Sequence, residues 1–578
     1  MKTYGRVKWS QGRWHIRCEP HVMLRAKRVF AQVAKRQQGE IVLHDTPGTA
    51  RDIEWFLERY PMEVEDAKRL DQRAREHDQA MAAVQRVLQS AGEPAPFDLA
   101  IPARRYQRSA AELVLATGRL LLGDDLGLGK TASAICVLSD PRARPAVVVT
   151  LTALPGQWRE QVRKFAPSLN VLIPKKGTPQ RHEVELLQGL IRPDVVILNY
   201  AKLAGWAETL AQVFQPKTVV FDEVQELRTG SGSAKYAAAE HLAQGAAYRM
   251  GLSATPIYNY GGEIYAVLAP LAPGELGSWG EFGQEWCAYG ASDTKAKIKD
   301  PKAFGAFLRE RGLFLRRTCS DVRDEVPELA DPIRIPHVVD ADTSVLAKAE
   351  TAAAELARII LSTSATNAER FEAAGEIDWR LRQATGIAKA PYVAAFVRML
   401  LQADDQARVL LYGWHHAVYE LWGEALKDYR PVFFTGQEST LQKEASKAAF
   451  LDGSSAGSRV LIMSLRAGAG LDGLQDKCRL VVFGELDWSP GVHEQCLGRV
   501  HRPGQKDTVR AYFLHSESGS DPVMVEVLGL KKAQVQGIRD PDADLVEKLQ
   551  NSGDHIRRLA EACLARAGGS SIPQESVA

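Results

Sequence analysis

Short runs of apolar residues, separated by longer amphipathic stretches, dominate the middle of the chain. Five such runs lie between residues 119 and 253: RLLL, PAVVVT, DVVILN, KTVVF and YRMGLS. Continuous apolar runs of this length are typical of strands that are buried on both faces of a parallel sheet. Because helical stretches separate the runs, the pattern predicts a doubly wound α/β fold that binds its ligands at the carboxyl edge of the sheet.

A second series of the same kind follows between residues 407 and 516: ARVLLYG, YRPVFF, SRVLIMS, CRLVVFG and TVRAYFLHS. The stretch between the two series, around SVLAKAETAAAELARIIL, is rich in alanine and predicted to be helical. No tandem repeat is visible, so the two α/β domains should resemble each other in fold only. We expect an N-terminal module over 1–100, a first α/β domain over 101–325, a helical linker or insertion over 326–375, a second α/β domain over 376–530, and a C-terminal helical segment with a disordered tail over 531–578.

The composition is that of an ordinary globular protein, with 45% hydrophobic residues, 25% charged residues and a net charge of +2. The seven cysteines are scattered without a C-x-x-C pair, which argues against zinc ribbons and a disulfide framework and fits a reducing cytoplasm. No apolar run approaches the roughly 18 residues that a membrane span needs, and the N-terminus lacks an apolar signal region. We therefore expect a cytoplasmic protein without a membrane partner, and the compact layout would suit bacterial or phage origin.

The N-terminal segment differs from the rest of the chain in charge. Residues 1–36 carry ten lysines or arginines and one acid, whereas residues 37–100 carry seven basic residues and thirteen acids. Trp9, Trp14 and His15 lie among the cations on a predicted hairpin, so the module could contact DNA ends or junctions. A hairpin with a tryptophan core and a solvated basic surface is an equally good interpretation.

The strongest chemical signal is GDDLGLGKTAS at residues 123–133, which follows an apolar strand and opens a helix. Gly127 and Gly129, on either side of Leu128, let the backbone pass close to a polyphosphate, so that its N–H groups and the helix N-terminus face the anion. Lys130 would reach the β- and γ-phosphates and the Thr131 hydroxyl would hold Mg²⁺. Asp124 stands where the ordinary G-x-x-x-x-G-K-[ST] pattern has its first glycine, and this departure points to a helicase-like variant.

Asp222 and Glu223 end the predicted strand in KTVVFDEVQ. An acid pair at the end of a strand is a weak signal alone, but beside a phosphate loop it indicates a division of labour. Asp222 would bind the Mg²⁺ shell, and Glu223 would take a proton from the attacking water.

Six blocks in a fixed order carry a family resemblance: YQRSA (106–110), DDLGLGKT (124–131), FDEVQ (221–225), GLSATPIYN (251–259), SLRAGAGLDGL (464–474) and QCLGRVHRPGQ (495–505). Over roughly residues 101–530 the chain resembles superfamily-two helicases and, more narrowly, the Swi/Snf (sucrose-non-fermenting) family of double-stranded DNA translocases, closest to the annealing-helicase branch. The resemblance implies two tandem RecA-like lobes, ATP and Mg²⁺ as ligands, and double-stranded DNA as partner.

The resemblance also implies roles for individual residues. Gln107 should read the adenine base, Gly470 belongs to the motif that bridges the lobes, and LTALPGQW (151–158) matches a DNA-side motif of the first lobe. LFLRRTCSDV (313–322) resembles a family stretch that follows the first lobe. The residues expected to bind the nucleotide are Gln107, Asp124, Gly127, Leu128, Gly129, Lys130, Thr131 and Gly470. The residues expected to couple the state of the bound nucleotide to the binding of DNA are Gln225, Ser253, Ala254, Thr255 and Gln495.

In the family, the two arginines of the last block face the nucleotide across the cleft between the two lobes. The resemblance therefore implies that Arg499 and Arg502 stabilise the charge that builds on the γ-phosphate, for which a planar, permanently charged guanidinium is suited. Gln505 should shape the same loop. Because the two arginines would lie on the second lobe, hydrolysis would depend on domain closure.

The chain departs from the family pattern at three places. Gln225 replaces the usual histidine after the acid pair, GLDGL is one residue longer than the family's G-L-N-L, and Cys319 replaces a lysine. None of these changes removes a group that hydrolysis needs. His415 and His416 should point to opposite faces rather than form a metal site, and Trp488 is interpreted as a packing residue.

These observations predict an ATP-dependent translocase on double-stranded DNA that acts as a monomer, with forked or single-stranded DNA as further ligands. No strand-separating wedge is identifiable, so translocation is favoured over unwinding. The alternatives are an RNA-directed or RNA-polymerase-associated motor, a scaffold with a relict ATP fold, and a restriction-type subunit whose partner cuts. The complete set of Lys130, Asp222, Glu223, Arg499 and Arg502 argues against the relict scaffold.

Overall fold

The structure is a computed structural model. It describes residues 3–526 except 31–32, 34–38, 90–91, 153, 190–191, 255, 257–261, 289–295, 327–329, 363–365, 455–456, 467–470 and 472, and beyond residue 526 it describes Leu528, Ala560, Glu561 and Leu564. The described residues fall into two compact units that divide between Thr318 and Cys319.

The first unit opens with a small α+β module. Its strands are β1 (Gly5–Ser10), β2 (Arg13–Cys18), β3 (Ile41–His44) and β4 (Glu63–Val64), in the order β3-β2-β1-β4. Its helices are α1 (Pro20–Val29), α2 (Pro47–Arg59) and α3 (Ala67–Leu88). The predicted hairpin is confirmed: β1 and β2 pair antiparallel around a turn in which Gln11 and Gly12 both have positive φ, the geometry of the tight turns that match strand twist.

The rest of the first unit is a seven-stranded, all-parallel sheet, which we call sheet 1. Its strands are β5 (Arg119–Leu122), β6 (Ala146–Thr150), β7 (Val171–Leu172), β8 (Val195–Asn199), β9 (Thr218–Asp222), β10 (Tyr248–Leu252) and β11 (Phe314–Leu315). They lie in the order β11-β5-β10-β9-β6-β8-β7. The helices around them are α4 (Arg105–Thr117), α5 (Lys130–Ser139), α6 (Pro155–Phe165), α7 (Arg181–Gln188), α8 (Tyr200–Thr209), α9 (Ala234–Gln244), α10 (Glu263–Leu268), α11 (Trp279–Trp286) and α12 (Pro301–Glu310).

Sheet 1 is covered on both faces, as its continuous apolar runs predict. Side chains of successive strand residues point to opposite faces. Val147 and Val149 of β6 accordingly belong to one buried cluster and Val148 belongs to the other. This is the arrangement of a doubly wound sheet, and the expected α/β fold is confirmed.

The second unit contains a six-stranded parallel sheet, which we call sheet 2. Its strands are β12 (Ile333–Val338), β13 (Val409–Gly413), β14 (Val432–Phe434), β15 (Val460–Ser464), β16 (Leu480–Phe483) and β17 (Arg510–His515), in the order β12-β17-β16-β13-β15-β14. Its helices are α13 (Thr343–Leu361), α14 (Asn367–Ala403), α15 (His416–Ala425), α16 (Thr440–Leu451) and α17 (Pro490–Leu497). The predicted helical character of the alanine-rich stretch is confirmed by α13 and α14.

One strand of sheet 2 was not predicted. β12 is exposed at five of its six positions and contains Pro336, so it has no apolar run to recognise. Proline and exposure are both tolerated there because β12 is the edge strand, paired only with β17 among the described strands. An edge strand of this composition is indistinguishable from a loop in the sequence.

Helix α14 contains the segment Glu372–Ala403, which by length and composition alone could cross a membrane. Of its most apolar window, 61% is buried inside the protein, and Val393, Val397 and Leu401 pack in the core of sheet 2. The expectation that no stretch would reach this length was therefore too strict, and burial in the core accounts for the hydropathy.

Candidate active site

The phosphate loop lies at the carboxyl edge of sheet 1, between β5 and α5. Gly127 has φ +88° and Gly129 has φ +72°, a left-handed conformation that side chains other than glycine rarely adopt. Helix α5 begins at Lys130 with no acidic residue in its first turn, so its free N–H groups and its dipole favour an anion. Leu128, between the two glycines, is fully buried and anchors the loop.

Two side chains of α4 hold the carbonyl of Leu128. The Tyr106 hydroxyl donates to this oxygen over 2.8 Å and Gln107 Nε2 donates to it over 3.0 Å. Gln107 Oε1 accepts from the backbone N–H of Arg104, so the amide group binds the loop and the start of its own helix. In the structure Gln107 therefore shapes the phosphate loop, and its contact with an adenine base stays a prediction.

The acids at the start of the loop are paired with two arginines that follow β11. The carboxylate of Asp124, which is fully buried, lies 2.6 Å from the Arg317 guanidinium and also accepts from the Arg317 backbone N–H. Asp125 pairs with Arg316 over 2.7 Å. Asp124, which occupies the place of the first glycine, thus ties the loop to β11, and its contact with a nucleotide stays a prediction. Sequence reasoning placed Arg316 and Arg317 in a family stretch but missed this role.

Lys130 lies in an acidic surrounding. Its half-buried ammonium Nζ donates to the carbonyl oxygens of Asp124 (2.8 Å) and Asp125 (3.3 Å). Burial lowers the pKa of Lys130, while the charges of Asp124, Glu223, Asp125 and Asp222 act in the opposite direction. The lysine at the loop and the acid pair at the end of β9 are therefore close enough to interact, as the sequence predicted.

Asp222 is held by residues from three other elements. Its Oδ2 accepts from the Thr150 hydroxyl at the end of β6 (2.8 Å) and from the Trp158 indole of α6 (2.7 Å). The Tyr200 hydroxyl donates to its main-chain carbonyl over 3.0 Å. Burial raises the pKa of Asp222, and the hydrogen bonds from Trp158 and Thr150 oppose that rise. Sequence reasoning missed all three partners.

Glu223 follows directly and has φ +52°, an uncommon conformation for a residue with a side chain. Gln225, which replaces the family histidine, is buried, and its Nε2 donates to Glu223 Oε2. An amide donor favours the ionised carboxylate, the form that can accept a proton from water. The expected coupling of Gln225 to the S-A-T motif stays a prediction.

The S-A-T motif follows β10, which lies between β5 and β9 in sheet 1. Ser253 and Ala254 are buried, and the backbone N–H of Ser253 donates to the carbonyl of Leu122 at the end of β5 (3.1 Å). The motif thus joins the strand of the phosphate loop to the strand of the acid pair. Thr255, the third residue of the motif, and Gly470 of the bridging motif lie outside the described residues.

The two arginines of the last block lie just after α17 in the second unit. Arg502 donates through Nε and a terminal nitrogen to the carbonyl of Gly498 (2.9 and 2.7 Å). Arg499 is half-buried, and its Nε has no hydrogen-bond partner among the described residues. Gln505 donates to the carbonyl of Cys478 (2.9 Å) and so shapes this loop, as predicted, while Gln495 is half-buried on α17. That both guanidinium groups reach a nucleotide bound by the first unit stays a prediction.

His415 and His416 do not lie on a strand, as their expected opposite faces require, because β13 ends at Gly413 and α15 begins at His416. His415 is buried and pairs with Glu485 (2.6 Å), whereas His416 is exposed, so the two rings do not converge. Within the described ranges no group of three or more histidine, cysteine or acidic residues could hold a metal ion. Trp488 is buried and donates to Asp378 (2.9 Å), which confirms it as a packing residue.

The tryptophans of the N-terminal module also serve its interior. Trp14 is fully buried, and the indole groups of Trp9 and Trp14 both donate to the carboxylate of Asp45 (2.9 and 3.0 Å). The guanidinium of Arg69 lies 4.0 Å from the Trp9 ring and binds the same carboxylate. This is the tryptophan core of the second interpretation, and contact of the module with DNA stays a prediction.

The residues at the edge of sheet 1 fit a nucleoside triphosphate with Mg²⁺. A Cβ at position 129 would lie 2.6 Å from Gln107 Nε2, so glycine keeps the backbone close to the loop's interior. The Thr131 hydroxyl and the Asp222 carboxylate are hard oxygen donors of the kind that Mg²⁺ prefers, and Lys130 supplies a cation for phosphate. The donor set therefore suits both the triphosphate and its cation.

Comparison with known proteins agrees with this chemistry. The SNF2-related domain matches residues 50–383, which is more than half of the chain. The chain is 26% identical over 434 residues to SWI/SNF-related matrix-associated actin-dependent regulator of chromatin subfamily A-like protein 1 of Xenopus tropicalis, covering 72% of this chain and 43% of that protein. It is 26% identical over 431 residues to DNA annealing helicase and endonuclease ZRANB3 of Mus musculus, covering 73% of this chain and 39% of that protein.

This chain therefore spans about two fifths of the length of these two relatives. Among solved structures, the Sulfolobus solfataricus SWI2/SNF2 ATPase core in complex with dsDNA matches with 20% identity and a TM-score of 0.37, over 83% of this chain and 98% of that one. The fold assignment itself rests on the two parallel sheets. With the domain match over most of the first unit and the loop, lysine and acid pair in place, the chain belongs to the SNF2-related family of helicase-like ATPases.

Proposed function

We propose that this protein is an ATP-dependent translocase on double-stranded DNA, which couples ATP hydrolysis to movement along the duplex. The observation that carries the proposal is the meeting of Lys130, Asp222 and Glu223 at the edge of sheet 1, where α5 presents its N-terminus. The chain has an ATPase site of this kind and a second parallel sheet, in which the Arg499 and Arg502 loop lies between α17 and β17. These are the parts of a two-lobed motor.

Different residues of the first unit have different roles in hydrolysis. The loop amides and Lys130 hold the phosphates, and Glu223 accepts the proton of the water that attacks the γ-phosphorus. Gln225 favours the ionised form of Glu223 through its amide donor. Mg²⁺, held by Thr131 and Asp222, would neutralise phosphate charge.

The second unit supplies positive charge. Arg502 is fixed by two hydrogen bonds to one carbonyl, and the Arg499 guanidinium keeps a buried Nε that no described residue uses. An arginine whose guanidinium is fixed in this way can stabilise, through its permanent charge, a phosphate that accumulates charge in the transition state. In this proposal hydrolysis requires both units, and the change in their contacts moves the protein along DNA.

Double-stranded DNA is the favoured partner because the relatives with 26% identity include a DNA annealing helicase. Contacts with phosphate groups would make binding largely independent of base sequence and sensitive to salt. Forked and single-stranded DNA are further candidate ligands. An RNA-directed motor is the second candidate function, since the loop and acid pair are equally suited to it.

The test is the rate of ATP turnover with no nucleic acid, duplex DNA, forked DNA, single-stranded DNA and RNA at equal nucleotide concentration. Duplex DNA should give the largest increase, and Lys130→Ala should show no turnover with any ligand. Displacement of a third strand from a triplex should require ATP, because a translocating protein pushes the strand off without separating the duplex. Equal turnover with and without every nucleic acid would contradict the proposal.

A further inference from the structure

Trp158 connects the surface of the first unit to the carboxylate of Asp222. Its indole Nε1 donates to Asp222 Oδ2 over 2.7 Å, and the side chain is only 3% exposed. Trp158 lies in the first turn of α6, which begins at Pro155. A buried N–H group that donates to a carboxylate forms a strong and directional hydrogen bond, because the acceptor is charged and water is excluded.

Thr150 donates to the same oxygen over 2.8 Å, so two side-chain donors share Asp222 Oδ2. The main-chain carbonyl of Asp222 is held separately by the Tyr200 hydroxyl. Trp158 and Thr150 therefore set the rotation of the carboxyl group, whereas Tyr200 and the β9 ladder set the position of the backbone. This leaves Oδ1 as the oxygen that is best placed to serve a cation.

The opposite face of α6 is exposed and basic. Arg159, Arg163 and Lys164 are exposed, with Glu160 as the only acid among the exposed residues of the helix. Arg159 and Arg163 are four residues apart, so they lie on the same side of the helix. Such a pair suits two phosphate groups of a nucleic-acid backbone.

We propose that Trp158, together with Thr150, is a positioning residue that orients Asp222 toward Mg²⁺ and transmits phosphate contact on α6 to that carboxylate. The part that concerns nucleic acid rests on the proposed function. Movement of α6 changes the donor on Oδ2, so a duplex bound on the basic face alters the metal site without touching it. Asp222 is the binding residue, and Trp158 acts through it.

The first experiment measures the Mg²⁺ dependence of binding of a fluorescent ADP analogue, by anisotropy and without DNA. Removal of a hydrogen-bond partner behind a metal ligand typically costs about 10- to 100-fold in metal affinity or activity. Trp158→Phe should therefore raise the Mg²⁺ concentration for half-maximal binding about tenfold. Trp206→Phe is the matched control, because Trp206 is also buried in the first unit but donates to the carbonyl of Lys176.

Thr150 gives a second test that does not depend on the folding of the tryptophan variant. Thr150→Ser keeps the hydroxyl donor and should bind Mg²⁺ as the wild type does, whereas Thr150→Val should require several times more Mg²⁺. Wild-type Mg²⁺ dependence in folded Trp158→Phe, or equal behaviour of the serine and valine variants, would overturn the positioning role.

The second experiment tests transmission from α6. Arg159→Ala combined with Arg163→Ala should lower the stimulation of ATP turnover by duplex DNA several-fold and leave the Mg²⁺ titration without DNA unchanged. Wild-type stimulation in this double variant would overturn the transmission. If duplex DNA did not stimulate ATP turnover in the wild type, the proposed function would be contradicted. The Mg²⁺ titration of Trp158→Phe would still test the positioning role.

Discussion

The two parallel sheets share one strand order, apart from β11 at the edge of sheet 1, but two of the helices that follow their strands begin with different chemistry. In sheet 1, β5 leads through a glycine turn to α5, whose first turn has no acidic residue. In sheet 2, β13 leads to α15, and the backbone N–H groups of Trp414 and His415 donate to the buried carboxylate of Glu485 (2.7 and 3.0 Å). By strand order β13 corresponds to β6 and not to β5. The start of α15 thus meets a carboxylate of the protein, whereas α5 has no acidic residue in its first turn.

The acids of the two edges are used differently as a result. In sheet 2, Glu485 is further paired with His415, and Asp487 is paired with Arg466 (3.2 Å). In sheet 1, the two side chains that donate to Asp222 are neutral, and Lys130 is the cation that interacts with its charge. The two edges thus differ in the partners of particular acids: a histidine and an arginine pair with Glu485 and Asp487 in sheet 2, whereas a threonine and a tryptophan donate to Asp222 in sheet 1.

The largest expected effect separates the two units by function. Lys130→Ala should abolish nucleotide binding and turnover, because the ammonium is the cation at the loop. Arg502→Ala should retain nucleotide binding but lower the turnover number about 10³- to 10⁵-fold, as for arginines that stabilise phosphoryl transfer. Fluorescent nucleotide binding and ATP turnover on the same samples measure the contrast. Loss of binding in both variants would break the division between the units.

An intermediate effect is expected at the ion pair of the phosphate loop. Arg317→Ala leaves Asp124 buried and without its partner, and breaking a buried pair typically costs about 3–5 kcal/mol. Hydrogen exchange of β5 and α5 measures the loss in free energy of unfolding. Arg142→Ala is the matched control, because its pair with Asp140 is exposed and such pairs contribute about 0–1 kcal/mol. A similarly small loss of unfolding free energy in both variants would show that the Arg317–Asp124 ion pair does not stabilise the loop.

The smallest expected effect concerns the pH dependence of sheet 2. Burial lowers the pKa of His493 to about 4, since the ring packs edge-on against Phe483 and Phe513. Because the unfolded chain binds this proton near pH 6.5, the stabilising contribution is complete above that pH and is lost as the pH falls toward 4. The loss amounts to about 3 kcal/mol.

Hydrogen exchange of β16 and α17 amides across this range, corrected for intrinsic rates, measures the slope. His493→Gln should reduce the slope of the unfolding free energy against pH by the equivalent of about one bound proton. His416→Gln should leave the slope unchanged, because His416 is exposed. An unaltered slope in His493→Gln would mean that another group titrates.

Features that are contiguous in the sequence could be predicted from it. The strands β5, β6, β8, β9 and β10 are continuous apolar runs, and the phosphate loop and acid pair each lie within a few residues. Their meeting followed from a general property of parallel sheets, whose carboxyl ends share one edge. The fold class and the main residues of the site therefore required no knowledge of strand order.

The partners of these residues could not be predicted in the same way. Asp124 and Arg317 are 193 residues apart, and Asp222 and Trp158 are 64 apart. They meet because β11 pairs with β5 and β6 pairs with β9, and apolar runs carry no information about that order. The two-residue strand β11 is too short to produce a pattern at all.

Arg316 and Arg317 lie at the point where the chain passes from the first unit to the second. The first long segment of the first unit ends at Thr318 and the second unit begins at Cys319, immediately after the side chains that pair with Asp124 and Asp125. A substitution of Arg316 or Arg317 therefore changes both the support of the phosphate loop and the place where the chain leaves sheet 1.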